Sequence, residues 1–318
     1  MNPALATRLG RMRQTGSLGV RNRTALRTLI RASQRTRLGP FVTPQTFELV
    51  RDGDGLTSGQ REYEDGPRFF AHFDGELGPQ DLRGANVLDL GSGYGGRTVH
   101  YAEQGAAMVT GIEISDAMVA RSARFAQSRG ATNVRFLRAF AEDLPFANGS
   151  FDIVLSFDVM EHVDDPVLAL RELRRVMRSG SHAWLIFPTF LGARASHLDY
   201  LTQIPMLHRL FDPEVIIDVV NEFLAAKPEL GVAQQPRPRV GPLGRRALPS
   251  VNGMNRREAT ALIERNGFIV HRADARPLVT REAPGPLGAC AGPLEWWTKH
   301  AMPPDLLIGN LRFHLSVP

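Results

Sequence analysis

Six consecutive residues, Gly91-Ser92-Gly93-Tyr94-Gly95-Gly96, carry the strongest chemical signal in the chain. Gly91, Gly93 and Gly96 have the G-x-G-x-x-G spacing of a loop that turns sharply and lets a ligand approach the backbone with no Cβ in the way. Placed after a strand and before a helix, such a loop serves nucleoside cofactors. Some twenty residues on, the next apolar run ends in Gly111-Ile112-Glu113-Ile114-Ser115. A carboxylate there can accept both ribose hydroxyls, which makes Glu113 a nucleoside-binding candidate without choosing the cofactor. A second cluster, Ser156-Phe157-Asp158-Val159-Met160-Glu161-His162, puts two carboxylates and an imidazole in one turn. Three chemistries are open to it: an imidazole acting as general base, a divalent cation that acidifies a bound hydroxyl, or support of the cofactor alone.

The surroundings of the loop are more selective. Asp89 stands two residues before the first glycine, giving Asp89-x-Gly91-x-Gly93-x-Gly95, and Ala141-Glu142-Asp143-Leu144-Pro145-Phe146 is followed by Gly149-Ser150-Phe151-Asp152-Ile153-Val154. On these residues the chain resembles the class I S-adenosylmethionine-dependent methyltransferases of the small-molecule type. The spacing of Asp158, Glu161 and His162 is similar to that of ubiquinone-pathway O-methyltransferases that bind a divalent cation there. The resemblance covers residues 85–187, and the remainder only by topology. It implies S-adenosyl-L-methionine as cofactor, held by Asp89, Gly91, Ser92, Gly93, Gly95, Glu113, Ile114, Ala141, Glu142 and Phe157, with Ile114 against the adenine. An acid near a sulfonium cofactor also makes electrostatic sense. Catalysis is expected at His162, Asp158 and Glu161, with His162 the natural general base because an imidazole titrates in the useful range, and no resident metal is assigned. Where the family commonly has an aspartate two residues before Glu142, this chain has Phe140. Adenine recognition then falls to backbone at Phe140 and Ala141, or to Glu142 or Asp143.

The expected reaction is methyl transfer to a small-molecule acceptor, at an oxygen of a lipid, quinone or glycosylated metabolite. Three alternatives stand beside it: an RNA methyltransferase anchored by a basic tail, a dinucleotide-dependent oxidoreductase, and a cofactor-binding protein without catalysis.

These residues need a scaffold, and the chain between them reads as alternating strands and helices. Apolar runs at Asn86–Leu90, Ala106–Ile112, Val134–Leu137, Phe151–Phe157 and Ala183–Phe187 predict buried strands. Helices are predicted at Arg97–Gln104, from Ser115 and Asp116 to about Arg129, and from Pro166 to about Met177. A helix near Arg256–Asn266 and strands at Phe268–Arg272 and Leu311–Val317 complete the pattern. The fold class is therefore α/β: a doubly wound, mostly parallel seven-stranded sheet of the Rossmann-like methyltransferase kind with an inserted, largely helical cap. Five segments follow: a basic extension that is flexible or helical (1–47), a helical segment covering the cofactor site (48–84), the cofactor-binding core (85–188), an acceptor-covering insert (189–253), and the C-terminal part of the sheet with a second insert (254–318). His197, Tyr200 and His208 in the first insert, and Trp296, Trp297, Lys299 and His300 in the second, are further candidates for acceptor contact.

Charge sharpens the choice of partner. The pI is about 9.9, yet nine of the 38 basic residues are arginines within 1–47, leaving 29 against 33 acidic residues in the remainder. Basicity belongs to the tail, whose arginines are Arg8, Arg11, Arg13, Arg21, Arg23, Arg27, Arg31, Arg35 and Arg37. The tail has no interleaved aromatics, so nucleic acid is a weak expectation, and peripheral contact with an anionic membrane is the alternative partner. Cys290 is the single cysteine, which excludes an internal disulfide framework and a cysteine-based zinc site. No stretch approaches the roughly 18 apolar residues of a spanning helix. The expected setting is cytoplasmic, at most peripheral to a membrane, and the oligomeric state is left open.

Overall fold

The computed structural model describes residues 18–36, 38–39, 55–193, 195–198, 200–228, 234–238, 240–241, 243–244, 248, 251–277 and 305–318. In chain order the main elements are α1 (Arg23–Ser33), α2 (Leu56–Ala71), β1 (Asn86–Leu90), α3 (Gly96–Glu103), β2 (Met108–Glu113), α4 (Asp116–Ser128), β3 (Val134–Arg138) and β4 (Phe151–Phe157). There follow α5 (Pro166–Val176), β5 (Met177–Pro188), α6 (Pro213–Ala226), α7 (Arg256–Arg265), β6 (Ile269–Pro277) and β7 (Ile308–Ser316). Among the described residues no helix is long and apolar enough to cross a membrane. Two compact units emerge: one of Met1–Glu48, Pro188–Arg256 and Ala275–Asn310, the other of Leu49–Phe187, Arg257–Asp274 and Leu311–Pro318.

The larger unit is built on a seven-stranded sheet of order β3-β2-β1-β4-β5-β7-β6. The ladders β3-β2, β2-β1, β1-β4 and β4-β5 are all parallel. Successive crossovers lead from β1 outward to β3, then return to β4 on the other side of β1. That reversal opens a crevice at the carboxyl ends of β1 and β4, where parallel-sheet proteins bind ligands. β1 is buried over Val87–Leu90, as its apolar run requires. The aromatic group Phe69, Phe70 and Phe73 packs on Tyr101, Leu155, Trp184 and Ile186 to form the core on one face.

Some boundaries differ from expectation, as at β5, β6 and β7. β5 begins at Met177, six residues earlier than its apolar run, because its exposed start Arg178-Ser179-Gly180 carries no hydrophobic signal. The register against β4 shifts between Phe151 and Ile153 to accommodate these residues. Ser115 makes no side-chain cap to α4. By contrast, Asp165 caps α5, its Oδ1 accepting from Val167 N at 2.9 Å and Leu168 N at 3.2 Å.

The smaller unit gives part of the arginine tail a structural role. Leu26 and Ile30 of α1 are buried in a core with Ile216, Val219, Val220 and Phe223 of α6. On the outer side Arg21 pairs with Glu214 at 3.3 Å, Arg23 with Asp218, and Arg27 with Glu222 at 2.6 Å. Arg21, Arg23 and Arg27 of the tail are thus matched to acids of the 189–253 segment. Arg8, Arg11, Arg13 and Arg37 lie outside the described residues, as do Cys290, Trp296, Trp297, Lys299 and His300.

Candidate active site

At the end of β1 the chain reverses: Gly91 N and Ser92 N both donate to Ile112 O of β2, at 3.1 and 3.0 Å. Gly91 has φ +76°, and a Cβ there would stand 2.2 Å from Val159 Cγ2. Gly93 has φ +57°, and its Cβ would meet Glu62 Oε1 at 2.4 Å. Both conformations are costly for other residues, so the backbone favours glycine at both positions, and at Gly91 the Val159 side chain crowds an added methyl as well. Gly95 serves packing, since a Cβ there would meet Ser122 Cβ at 2.8 Å and Phe136 Cζ at 2.9 Å.

Three carboxylates fix the loop. Glu113 Oε1 accepts from Gly93 N and Oε2 from Ile114 N, each at 3.0 Å. Glu62, reaching over from α2, accepts from Tyr94 N at 3.0 Å and Gly96 N at 3.2 Å. Asp89 is buried and accepts from Thr98 Oγ1 at 2.6 Å. Burial raises the pKa of both Glu62 and Asp89, with Arg97 the strongest opposing influence. Arg97 also holds its Cζ 5.0 Å from the centre of the Phe157 ring. Burial alone would weaken its charge, but Tyr101, Glu62, Asp89 and Asp158 outweigh burial and raise its pKa. Glu62 and Arg97 were not anticipated from sequence. Thr98→Val, which leaves Asp89 buried without that donor, should cost about 1–3 kcal/mol. Chemical denaturation measures this directly, and wild-type stability would show that Asp89 does not need the bond.

Above the loop lies a cavity of about 850 Å³. Gly91, Gly93, Glu113, Ile114, Phe140, Ala141, Glu142, Phe157, Asp158 and His162 all line it. Ile114 is 61% exposed and Phe140 51%, unusual for large apolar groups, and both face this space. Glu142 also accepts from Asp165 N at 3.1 Å. Asp89, Ser92 and Gly95 are not part of the lining: Asp89 and Ser92 are buried beneath it, and Gly95 packs on α4. Phe146 and Phe151 meet edge to face at 4.9 Å. Asp152 accepts from Asn86 N at 2.8 Å and pairs with Arg178 at the amino-terminal end of β4. It joins strands and stands away from the cavity.

The turn after β4 is unusual in its backbone. Asp158 has φ +55° and donates its N–H to Ile186 O at 2.8 Å, a conformation that non-glycine residues adopt at functional turns. Its carboxyl is exposed into the cavity yet ringed by protein, and desolvation pushes its pKa up to about 6 against the pull of Arg97. Glu161 is buried, and neither oxygen has a hydrogen-bond partner among the described residues. Burial, and then the charge of Asp158, raise its pKa well above the ordinary carboxylate range. His162 Nε2 lies 3.5 Å from Glu161 Oε1. Two of the three turn residues therefore face the cavity, with Glu161 behind His162. Asp158, Glu161 and His162 do not come together as one set of ligand atoms close enough to share an ion.

In the smaller unit His208 is buried, with Nε2 2.8 Å from Phe190 O. Burial lowers its pKa to about 4. It is a packed core histidine.

The glycine cradle, the pinned carboxylate of Glu113 and the exposed apolar pair suit an adenosine group: acceptors for ribose, flat contact for a base, and a backbone that admits close approach. Comparison with known proteins agrees in class. Residues 88–185 match the family described as "Methyltransferase domain". Over 131 residues the chain is 34% identical to O-methyltransferase rstn1 of Aspergillus nomiae, covering 41% of this chain and 56% of that protein. Over 97 residues it is 37% identical to ajmaline N-methyltransferase of Rauvolfia serpentina, covering 30% and 33%. The chain thus spans from a third to a little over half of these relatives. A solved S-adenosylmethionine-dependent methyltransferase from Mesorhizobium loti aligns over 79% of this chain and 99% of its own at 16% identity, with a TM-score of 0.47.

Proposed function

We propose that the chain transfers a methyl group from S-adenosylmethionine to a small molecule, at an oxygen of a lipid, quinone or glycosylated metabolite, a reading that the match of residues 88–185 to a methyltransferase domain supports. One observation carries the reading. Glu113, pinned by Gly93 N and Ile114 N, stands at the rim of a cavity whose exposed apolar residues include Ile114 and Phe140. S-adenosylmethionine supplies an electrophilic methyl group when bound. Glu113 would accept the ribose hydroxyls, and Ile114 and Phe140 would sandwich the adenine. Phe140 offers a ring where the resemblance leads one to expect a carboxylate, so recognition of the base leans on stacking and on backbone at Ala141. Asp158 would face the cationic end of the cofactor, and His162 would take the proton of the acceptor hydroxyl. Glu161, kept protonated by burial, would orient the His162 ring through the 3.5 Å contact. Leu90, Ile112, Val163 and Leu168 make the cavity largely apolar, which supports an acceptor with an apolar body. The names of the relatives, an O- and an N-methyltransferase, support oxygen or nitrogen as the atom methylated. Nucleic acid is not favoured, because Arg21, Arg23 and Arg27 are paired with Glu214, Asp218 and Glu222.

The direct test is a calorimetric titration with S-adenosylhomocysteine beside NAD, followed by transfer of labelled methyl from the cofactor to small molecules of a cell extract. Binding of NAD in preference to S-adenosylhomocysteine would sink the proposal. A pH series tests Asp158. With a pKa of about 6, its charge is present above that value and lost as pH falls through it. Attraction to the cationic cofactor should fade in the same direction. At pH 5 roughly one-tenth of the group is ionised, so affinity should drop by up to about tenfold between pH 7.5 and 5. The slope should be absent in Asp158→Asn, and an identical slope in both proteins would remove Asp158 from this role.

A further inference from the structure

The larger unit contains a second cluster of titratable groups, unrelated to the cofactor cavity. His182 on β5, His314 on β7 and His271 on β6 stand on three neighbouring strands. One ring nitrogen of each lies within 4.8 Å of those of the other two. His182 Nδ1 and His314 Nε2 are 2.9 Å apart. Ring centres are separated by 5.0 Å for His182 and His314, 4.8 Å for His271 and His314, and 5.6 Å for His182 and His271.

Two of the rings are held by neighbours outside the cluster. Trp184 stacks on His314 with centres 4.6 Å apart and planes 9° from parallel. His314 Nδ1, the nitrogen turned away from His182, lies 3.6 Å from Glu76 Oε2. His271 Nε2 is 2.8 Å from Ser316 Oγ. A carboxylate or hydroxyl behind an imidazole is the arrangement that fixes ring orientation and basicity in metal sites. His271 is exposed, which leaves the cluster open to solvent.

We propose that His182, His271 and His314 form a binding site for a divalent ion of the zinc class, with three imidazole nitrogens as protein ligands and water completing a tetrahedron. Around zinc at 2.0–2.1 Å such nitrogens stand about 3.4 Å apart, so the observed spacing needs only small ring movements. Nitrogen ligands without carboxylates in the set favour zinc, cobalt or nickel over magnesium or calcium. The site is remote from the chemistry. His182 is paired with Ile153, and Ile153 with Val87 at the start of β1, whereas Gly91–Gly96 follow the other end of that strand. The ion would therefore clamp β5, β7 and β6 together and stabilise the folded chain by binding it in preference to the unfolded one.

The test uses the full chain, stripped of metal and titrated with Co²⁺ alone while visible absorption is followed, with Zn²⁺ then added as competitor. One equivalent should give intense tetrahedral bands, Zn²⁺ should abolish them, and excess Zn²⁺ should raise the Tm. Losing partners behind a ligand costs about 10–100-fold in affinity, so His271→Ala and His182→Gln, each removing a ligand, should bind at least about 100-fold more weakly. His271→Ala, an exposed position, keeps the test sound where a buried substitution compromises folding. It should also leave S-adenosylhomocysteine binding unchanged, which separates this site from the cofactor proposal. Wild-type chain that shows no tetrahedral cobalt spectrum, or a His271→Ala variant that keeps it at full affinity, would overturn the assignment.

Discussion

Replacing Glu113 by alanine should weaken binding of S-adenosylhomocysteine by about 10²- to 10⁴-fold. The carboxylate has both oxygens committed on one side, to Gly93 N and Ile114 N at 3.0 Å each. Each oxygen keeps a lone pair for a ribose hydroxyl. Hydrogen bonds to a charged group are worth about 1.5–3 kcal/mol each, and two of them convert to the range given at 1.4 kcal/mol per decade. Glu113→Gln retains the shape and one acceptor but turns an N–H toward either the loop or the sugar, so its loss should be smaller, about 10- to 100-fold. The folded state should change little, because water at the cavity rim can replace the carboxylate on both backbone donors. Calorimetric Kd values for the two variants, read beside their Tm values, decide the matter. An alanine variant that binds within about threefold of wild type would show that the ribose is held elsewhere.

What was legible in the sequence, and what was not, divides along the distance between interacting residues. The glycine loop, the strand before it and Glu113 are local features. A φ of +76° at Gly91 and +57° at Gly93 is a demand on the residue itself that glycine meets at least cost, so the requirement shows in the sequence. β1 to β4 appear within a residue or two of their apolar runs for the same reason. Glu62 and Arg97 were missed because nothing near Glu62 in the chain announces that α2 will lay it on Tyr94 N and Gly96 N, 32 and 34 residues on. Motif membership also says which residues shape the loop but not which side of the backbone they occupy. Asp89, Ser92 and Gly95 belong to the signature yet face away from the cavity, toward Thr98 and α4. The arginine tail looked like a solvated extension because its acidic partners, Asp212 to Glu222, come almost two hundred residues later.

Gly96→Ala should be the most damaging single methyl in the loop. A Cβ at Gly96 would lie 2.0 Å from Gly59 O and 2.4 Å from Tyr63 N. Both are backbone atoms of α2, and a helix backbone cannot rotate aside as the end of a side chain can. At Gly59 the situation differs, since its added Cβ meets the Phe125 ring at 2.4 Å, a group with torsional freedom. Relief at Gly96 therefore requires α2 to move as a body away from α3. Overpacking of this kind costs about 1–3 kcal/mol and more where nothing can yield, so a loss of at least about 3 kcal/mol is expected. That corresponds to a fall in Tm of about 6–12 °C for a unit of this size. The same displacement withdraws Glu62 from Tyr94 N and Gly96 N and from the neighbourhood of Arg97. Cofactor affinity should fall with stability even though the added methyl points away from the cavity. Gly84→Ala is the control: φ there is +71° and nothing lies within 4 Å of the new Cβ, so it should show backbone strain of about 1–2 kcal/mol with cofactor binding intact. If Gly96→Ala loses stability but keeps full affinity for S-adenosylhomocysteine, the Glu62 bridge does not hold the loop in its binding shape, and α2 is a packing element only.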